Sequence, residues 1–242
     1  MKKIIPVLAA FSLIFITFVL FTQEEAPAEE SPVAEESEPI ALNSPRYEGT
    51  VSVEEAIYRR VSTRRFSSQS LQKDQVGQLL WSAIGTTVQG VTGATRAYPS
   101  AGGINPLGAY VVIGDVEGIS SGIYKYNCED HTLHLIVEGD VRQQLMEASY
   151  NQRMVGQAPA SIIITGNLQR VEDRYGEGRG PRYLAMDVGA AGQNIHLQAE
   201  ALNLGTVIVG AFHDNQIRDI VTLDEREAPL YIMPIGHFPE SD

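Results

Sequence analysis

The chain reads as an α+β fold, and three observations point to it. Short β-rich runs are interleaved with stretches of helical periodicity along most of its length. Two of the β-rich runs flank an Asn-Cys-Glu-Asp turn and form a hairpin, which argues against a pure β-α-β repeat. Tyr183 to Leu202 is the longest helix, with an apolar stripe of Leu184, Val188, Ala191, Ile195, Ala199 and Leu202. One folded domain is expected over residues 47–238.

The elements follow in order. Ser52-Val53-Glu54-Glu55 has a capping-box pattern, so a helix opens there, runs through Ala56, Ile57 and Tyr58, and ends near Arg60. Val76, Leu79, Leu80 and Ala83 keep helical spacing, and Gly85 ends that helix. Ala109 to Ile113 is a short strand. Ile123 to Tyr126 and Thr132 to Val137 are the hairpin strands, and Ala160 to Thr165 is an apolar central strand. Gly189, Ala190, Ala191 and Gly192 make the middle of the long helix thin, so another backbone can pack close, within the chain or from a second copy. Gly205 suits its C-cap. A strand at Val207 to Val209, a helix near Asp214 to Val221 and a last strand at Leu230 to Ile235 complete the domain.

The 242 residues are 43% hydrophobic and 20% charged, enough for one sizeable core and short for two. A net charge of -12, with no Lys/Arg-rich run, makes the chain a poor candidate for binding nucleic acid. Cys128 is the only cysteine, so neither an intrachain disulfide nor a cysteine-based zinc site can form. Lys2 and Lys3 precede an apolar run from Ile4 to Phe21, and residues 1–22 are expected to be a signal or uncleaved membrane anchor. Residues 23–46 carry seven glutamates among Pro, Ala and Ser, the composition of a disordered tether. With the lysines before the apolar run and the glutamates after it, the domain is expected outside the cytoplasm, membrane-anchored or secreted.

The chemistry concentrates in three segments. In Arg60-Val61-Ser62-Thr63-Arg64-Arg65-Phe66, residues two apart face one side if the backbone is extended, so two guanidinium groups and a hydroxyl meet. That set suits a phosphate; basic residues at a helix end are also favourable with no ligand at all. Pro99-Ser100-Ala101-Gly102-Gly103 is a small-residue loop that lets backbone approach a flat ligand, or an ordinary turn. Val209-Gly210 stands at a strand end just before a helix, a common place for a cofactor.

In this order and at these spacings the three segments resemble the FMN-dependent nitroreductase family, nearest its SagB-type, azoline-oxidising branch. The resemblance spans about residues 52–238 and includes Gly122-Ile123-Tyr124-Lys125-Tyr126, similar to the branch's Gly-x-Tyr-x-Tyr. It implies a mixed sheet wrapped by helices, built as an intertwined homodimer with FMN at the subunit interface. It implies that Arg60, Ser62 and Arg64 hold the FMN phosphate, that Pro99, Ser100, Ala101 and Gly102 lie along the ring, and that Val209 and Gly210 touch the cofactor. The implied reaction passes a hydride through flavin N5, from one substrate to the next in turn. The branch's Lys-Tyr pair, thought to handle protons, corresponds here to Arg174-Tyr175. Arginine is a poor general base, which puts azoline oxidation in question and leaves Tyr175 as the group able to exchange a proton.

Other patterns are weaker. Gly176-Glu177-Gly178-Arg179-Gly180 misses a dinucleotide fingerprint because Pro181 takes the last place, and reads as a loop. His131 and His134, three apart on a strand, would face opposite ways, so no metal site is expected. His237 reads as a surface histidine. The expected activity is oxidation of a small-molecule or peptide substrate. The alternatives are an NAD(P)H-dependent nitro or quinone reductase and a non-enzymatic binding domain that keeps the fold.

Overall fold

The computed structural model describes residues 38–90 and 93–239. The expected anchor and most of the expected tether lie outside them. Among the described residues no helix is long and apolar enough to cross a membrane.

The elements are β1 (Ile40–Ala41), α1 (Val53–Arg59), β2 (Leu71–Gln72), α2 (Lys73–Ile84), β3 (Thr86–Gly90), β4 (Gly93–Arg96), β5 (Leu107–Ile113), β6 (Val116–Glu117), β7 (Gly122–Asn127), β8 (Thr132–Glu138), α3 (Arg142–Ala148), α4 (Arg153–Gln157), β9 (Ala160–Gly166), α5 (Leu168–Tyr175), α6 (Gly180–Ala201), β10 (Leu204–Thr206), α7 (Asp214–Val221) and β11 (Ala228–His237). Seven strands form one sheet in the order β1-β8-β7-β5-β9-β11-β10. Each neighbouring pair in it is antiparallel. Parallel pairing enters at the margins, between β2 and β6 and at a bridge from Ser62 to Thr206.

The core has two layers, one on each face of the sheet. Ile162, Ile163 and Ile164 in β9 show why. Alternate side chains of a strand point to opposite faces, so Ile162 and Ile164 join Leu79 and Leu80 of α2 and Ile195 of α6 on one face. Ile163 joins Leu145 of α3, Val155 of α4 and Ile217 of α7 on the other. A strand covered on both faces reads as a continuous apolar run, which is how β9 is written.

Three expectations are corrected. The ordered unit starts before residue 47: Ile40 pairs with Leu133 in β8, and Leu42 is 9% exposed in the core. Gly205 does not cap the long helix. The chain turns at Leu202 and at Asn203, whose φ is +55°, and Gly205 lies inside β10. The strand expected at Val207 to Val209 is shifted back to Leu204–Thr206, and Val209 keeps only a single bridge to Ile232.

Candidate active site

α1 opens as its sequence dictates, with Ser52 Oγ accepting from the Glu55 N–H at 3.1 Å. Glu55 turns instead to Arg59, pairing at 2.6 Å one turn on. The helix stops at Arg60, which has left helical geometry at φ -50° and ψ 119°. From there the chain is extended. The Thr63 N–H donates to the Thr206 carbonyl at 2.9 Å, and the Ser67 N–H to the His237 carbonyl at 3.0 Å.

Two paired glycines make that crossing possible. Gly205 in β10 and Gly236 in β11 are register partners. A Cβ on Gly205 would stand 2.6 Å from Thr63 Cγ2, and one on Gly236 would stand 2.8 Å from Phe66 Cβ. Thr63 therefore sits in space that any other residue at 205 would fill. Ser62 and Arg64, on either side of Thr63, are exposed to solvent. Among the described residues neither Arg60 nor Arg64 forms an ion pair. Thr206 Oγ1, across the bridge from Ser62, is buried without a hydrogen-bond partner.

The Pro99–Gly102 loop is held from below by α6. Asp187, 3% exposed, accepts from Ser100 Oγ at 2.7 Å and from the Ala101 N–H at 3.2 Å. Ser100 Oγ in turn accepts from the Asn105 N–H at 2.9 Å. Two turns further along α6, Asn194 Nδ2 donates to the Ala97 carbonyl at 2.8 Å. Burial pushes the Asp187 carboxyl above its ordinary range, against the opposing effect of the Ser100 hydroxyl and the Ala101 N–H.

α5 holds the same loop from above. Arg174 Nη1 donates to the Gly102 carbonyl at 3.2 Å. Gly102 has φ +60°, and a Cβ there would stand 2.5 Å from the Tyr175 hydroxyl, so glycine is needed both for conformation and for space. The Tyr175 ring lies 4.5 Å from that of Tyr183 at the start of α6. The pair singled out in the sequence thus touches the loop singled out in the sequence.

α6 also reaches the other two segments. His196, 6% exposed, has its imidazole pKa lowered first by burial and then by the positive charge of Arg60. A Cβ on Gly192 would meet Ile208 Cδ1 at 3.0 Å and the Tyr231 hydroxyl at 3.1 Å. Val209 is buried on its bridge to Ile232, while Gly210 faces open space, with nothing within 4 Å of a Cβ. α6 therefore bonds the Pro99–Gly102 loop, stacks Tyr183 on Tyr175 of α5 and packs against Ile208, while Val209 itself belongs to the core layer on the opposite face of the sheet.

Sequence reasoning missed Asp187, Asn194 and His196. Local pattern does not mark Asp187 and Asn194, because their partners Ser100, Ala101 and Ala97 lie 86 to 97 residues earlier in the chain. His131 lies in the hairpin turn at φ +55° rather than on a strand. Its ring bonds the Tyr126 hydroxyl and the Asn43 carbonyl. No group of metal-binding side chains occurs among the described residues. His237 is less superficial than expected, its Nε2 being buried without a partner.

This architecture matches a known family. Residues 57–237 match the Nitroreductase family. A Methanocaldococcus jannaschii protein described as a nitroreductase, MJ1384, is 38% identical over 186 residues, covering 77% of this chain and 91% of its own. A crystal structure of a nitroreductase from Ralstonia eutropha JMP134 superposes with a TM-score of 0.73 at 27% identity, covering 84% of this chain and 90% of that one. The trifolitoxin-processing protein TfxB of Rhizobium leguminosarum bv. trifolii is 32% identical over 133 residues, 53% of this chain and 36% of that longer protein. The chain belongs to the nitroreductase family, whose members are flavin-dependent oxidoreductases.

Proposed function

We propose that this chain binds FMN and oxidises a small or peptide substrate, as an enzyme akin to the SagB-type branch. The observation that carries the reading is the anchoring of the Pro99–Gly102 loop by Asp187 of α6 and Arg174 of α5, with the Arg60–Arg64 segment held against β10. The residues fit the group: half-buried Arg60 and exposed Arg64, neither in an ion pair among the described residues, suit a phosphate, and Gly210 leaves room beside the strand end. When bound, FMN supplies a site at N5 that accepts and returns a hydride. The protein's part is to bind and orient. Arg60, Ser62 and Arg64 hold the phosphate, Arg174 fixes the loop through the Gly102 carbonyl, and the Tyr175 hydroxyl moves the proton. The relationship to a trifolitoxin-processing protein supports a peptide substrate.

The names of MJ1384 and of the Ralstonia protein favour a second reading, reduction of a nitro compound; in that reading NAD(P)H is the donor, and a quinone is an alternative acceptor. The expected export of the domain weighs against it, since nicotinamide donors are cytoplasmic. The site is proposed to be completed in a homodimer, on the membrane-anchored or secreted side. Protease accessibility of the domain on intact cells tests that placement.

Purified protein should carry a flavin absorbance band that denaturation releases. Arg60→Ala and Arg64→Ala should each weaken FMN about 10- to 100-fold, from the ~1.5–3 kcal/mol of one charged hydrogen bond. A colourless protein that takes up no FMN, or two folded variants that bind it like the parent, would sink the reading. Anaerobic bleaching of the flavin by NADPH would establish the nicotinamide alternative; bleaching by a peptide substrate would establish the first.

A further inference from the structure

A cavity of about 430 Å³ opens at one end of the sheet, lined by Leu107 of β5, Lys125 and Asn127 of β7, and Asn167 and Arg170 at the start of α5. None of these residues has a place in the flavin reading. The apolar part of the wall is Ile84, Pro106 and Leu107.

The polar part is unbalanced towards donors. Asn127 Oδ1 accepts from the Glu129 N–H at 3.0 Å, and Asn167 Oδ1 accepts from the Arg170 N–H at 3.1 Å. A backbone N–H bonds only to the amide oxygen, so both amides are fixed in orientation. Among the described residues neither NH₂ group has a partner. Arg170 donates Nη2 to the Ile104 carbonyl at 2.9 Å and forms no ion pair among the described residues. The one carboxylate in the wall, Glu227, is already engaged. It accepts from Lys125 Nζ at 3.1 Å, from the Tyr110 hydroxyl at 3.1 Å and from Thr165 Oγ1 at 2.9 Å. Lys125 retains further N–H donors beyond that bond. His134 also lines the space, with Nε2 bonded to Thr132 Oγ1 at 3.0 Å. Four residues thus hold unused N–H donors around an apolar wall, with no free carboxylate to answer them.

We propose that this cavity binds a small carboxylate carrying an apolar ring. A carboxylate is planar and accepts from several donors at once, which suits an Arg fork flanked by amides and an ammonium. The volume is that of a small-ligand pocket. The site goes beyond the flavin reading and does not rest on it. The carboxylate can belong to a free aromatic acid or to the C-terminus of a peptide ending in an aromatic residue, since both present the same chemistry.

The test is titration calorimetry on the full-length protein with benzoate, benzamide, Gly-Gly-Phe and the C-terminal amide of Gly-Gly-Phe. Benzoate should bind at least tenfold tighter than benzamide. Arg170→Gln and Lys125→Met should each lose about tenfold, the loss of one charged hydrogen bond. Gly-Gly-Phe displacing benzoate where its amide does not would assign the site to peptide C-termini; benzoate binding without the peptide would assign it to free acids. Equal binding of benzoate and benzamide, binding of neither acid, or parental affinity in both folded variants would overturn the proposal. Arg170 is exposed, so Arg170→Gln folds even if loss of the Lys125 pair does not leave a stable chain. The flavin band, read on the same samples, reports separately on the cofactor.

Discussion

Asp187 concentrates the physics of the site in one side chain. A carboxylate 3% exposed has to be matched by donors, and here the match is a hydroxyl and a backbone N–H of the loop it positions. Asp187→Ala leaves both donors without an acceptor, and thermal unfolding should show a loss of about 1–3 kcal/mol, with weaker FMN retention. The pH dependence has a definite sign. Burial raises the native pKa above the unfolded value of about 3.9. The stability contributed by protonation is therefore complete below about pH 4 and is lost as pH rises through the raised native value. The advantage of the parent over Asp187→Asn should be largest near pH 4 and shrink towards neutrality. A melting-temperature difference that grows with pH would refute this assignment. Nothing in the apolar stripe of α6 announces the residue; its role depends on a loop 86 residues earlier in the chain.

At the scale of elements, Arg60 to Phe66 is held by a crossing. The surface that holds the segment is the Gly205–Gly236 pair, against which Thr63 and Phe66 pack. Gly205→Ala would press on Thr63 and should cost about 1–3 kcal/mol of stability by overpacking, while also weakening FMN. Gly189 is the contrasting position, mid-helix with open space around a Cβ. There Gly189→Ala should raise the stability of the isolated chain by about 0.5–1 kcal/mol in denaturant unfolding. The two halves of the thin stretch in α6 thus differ, since Gly192 is pressed against Ile208 and Tyr231. α7 matches its expected bounds, from Asp214 to Val221. The hairpin, β9 and the long helix lie within a few residues of theirs. Gly205 was misread because a glycine after a helix is a good cap in general. Which glycine packs against a distant threonine is a long-range fact that local pattern does not carry.

At the scale of the molecule, α1 turns Val53, Ile57 and Tyr58 outward at 64%, 55% and 89% exposure, and Val61 just after it is 59% exposed. An apolar patch of this kind beside the proposed phosphate segment suits burial in the proposed homodimer. Ile57→Asp should convert a two-chain species to a one-chain species in light scattering; a parent that is already monomeric would remove the dimer from the proposal. Taken by itself, the sequence determined the periodicities, and with them the α+β class and most elements, because apolar spacing depends on neighbours three, four or two residues away. It also singled out the three segments proposed to hold the flavin, because motif order survives without coordinates. The tertiary structure alone decided that α6 holds the Pro99–Gly102 loop through Asp187, that Asn194 bonds the chain just before it, and that Arg174 and Tyr175 close on Gly102. Those contacts join residues many tens of positions apart, and the hydrogen bonds and close packing that define them exist only once the sheet and its two layers have formed.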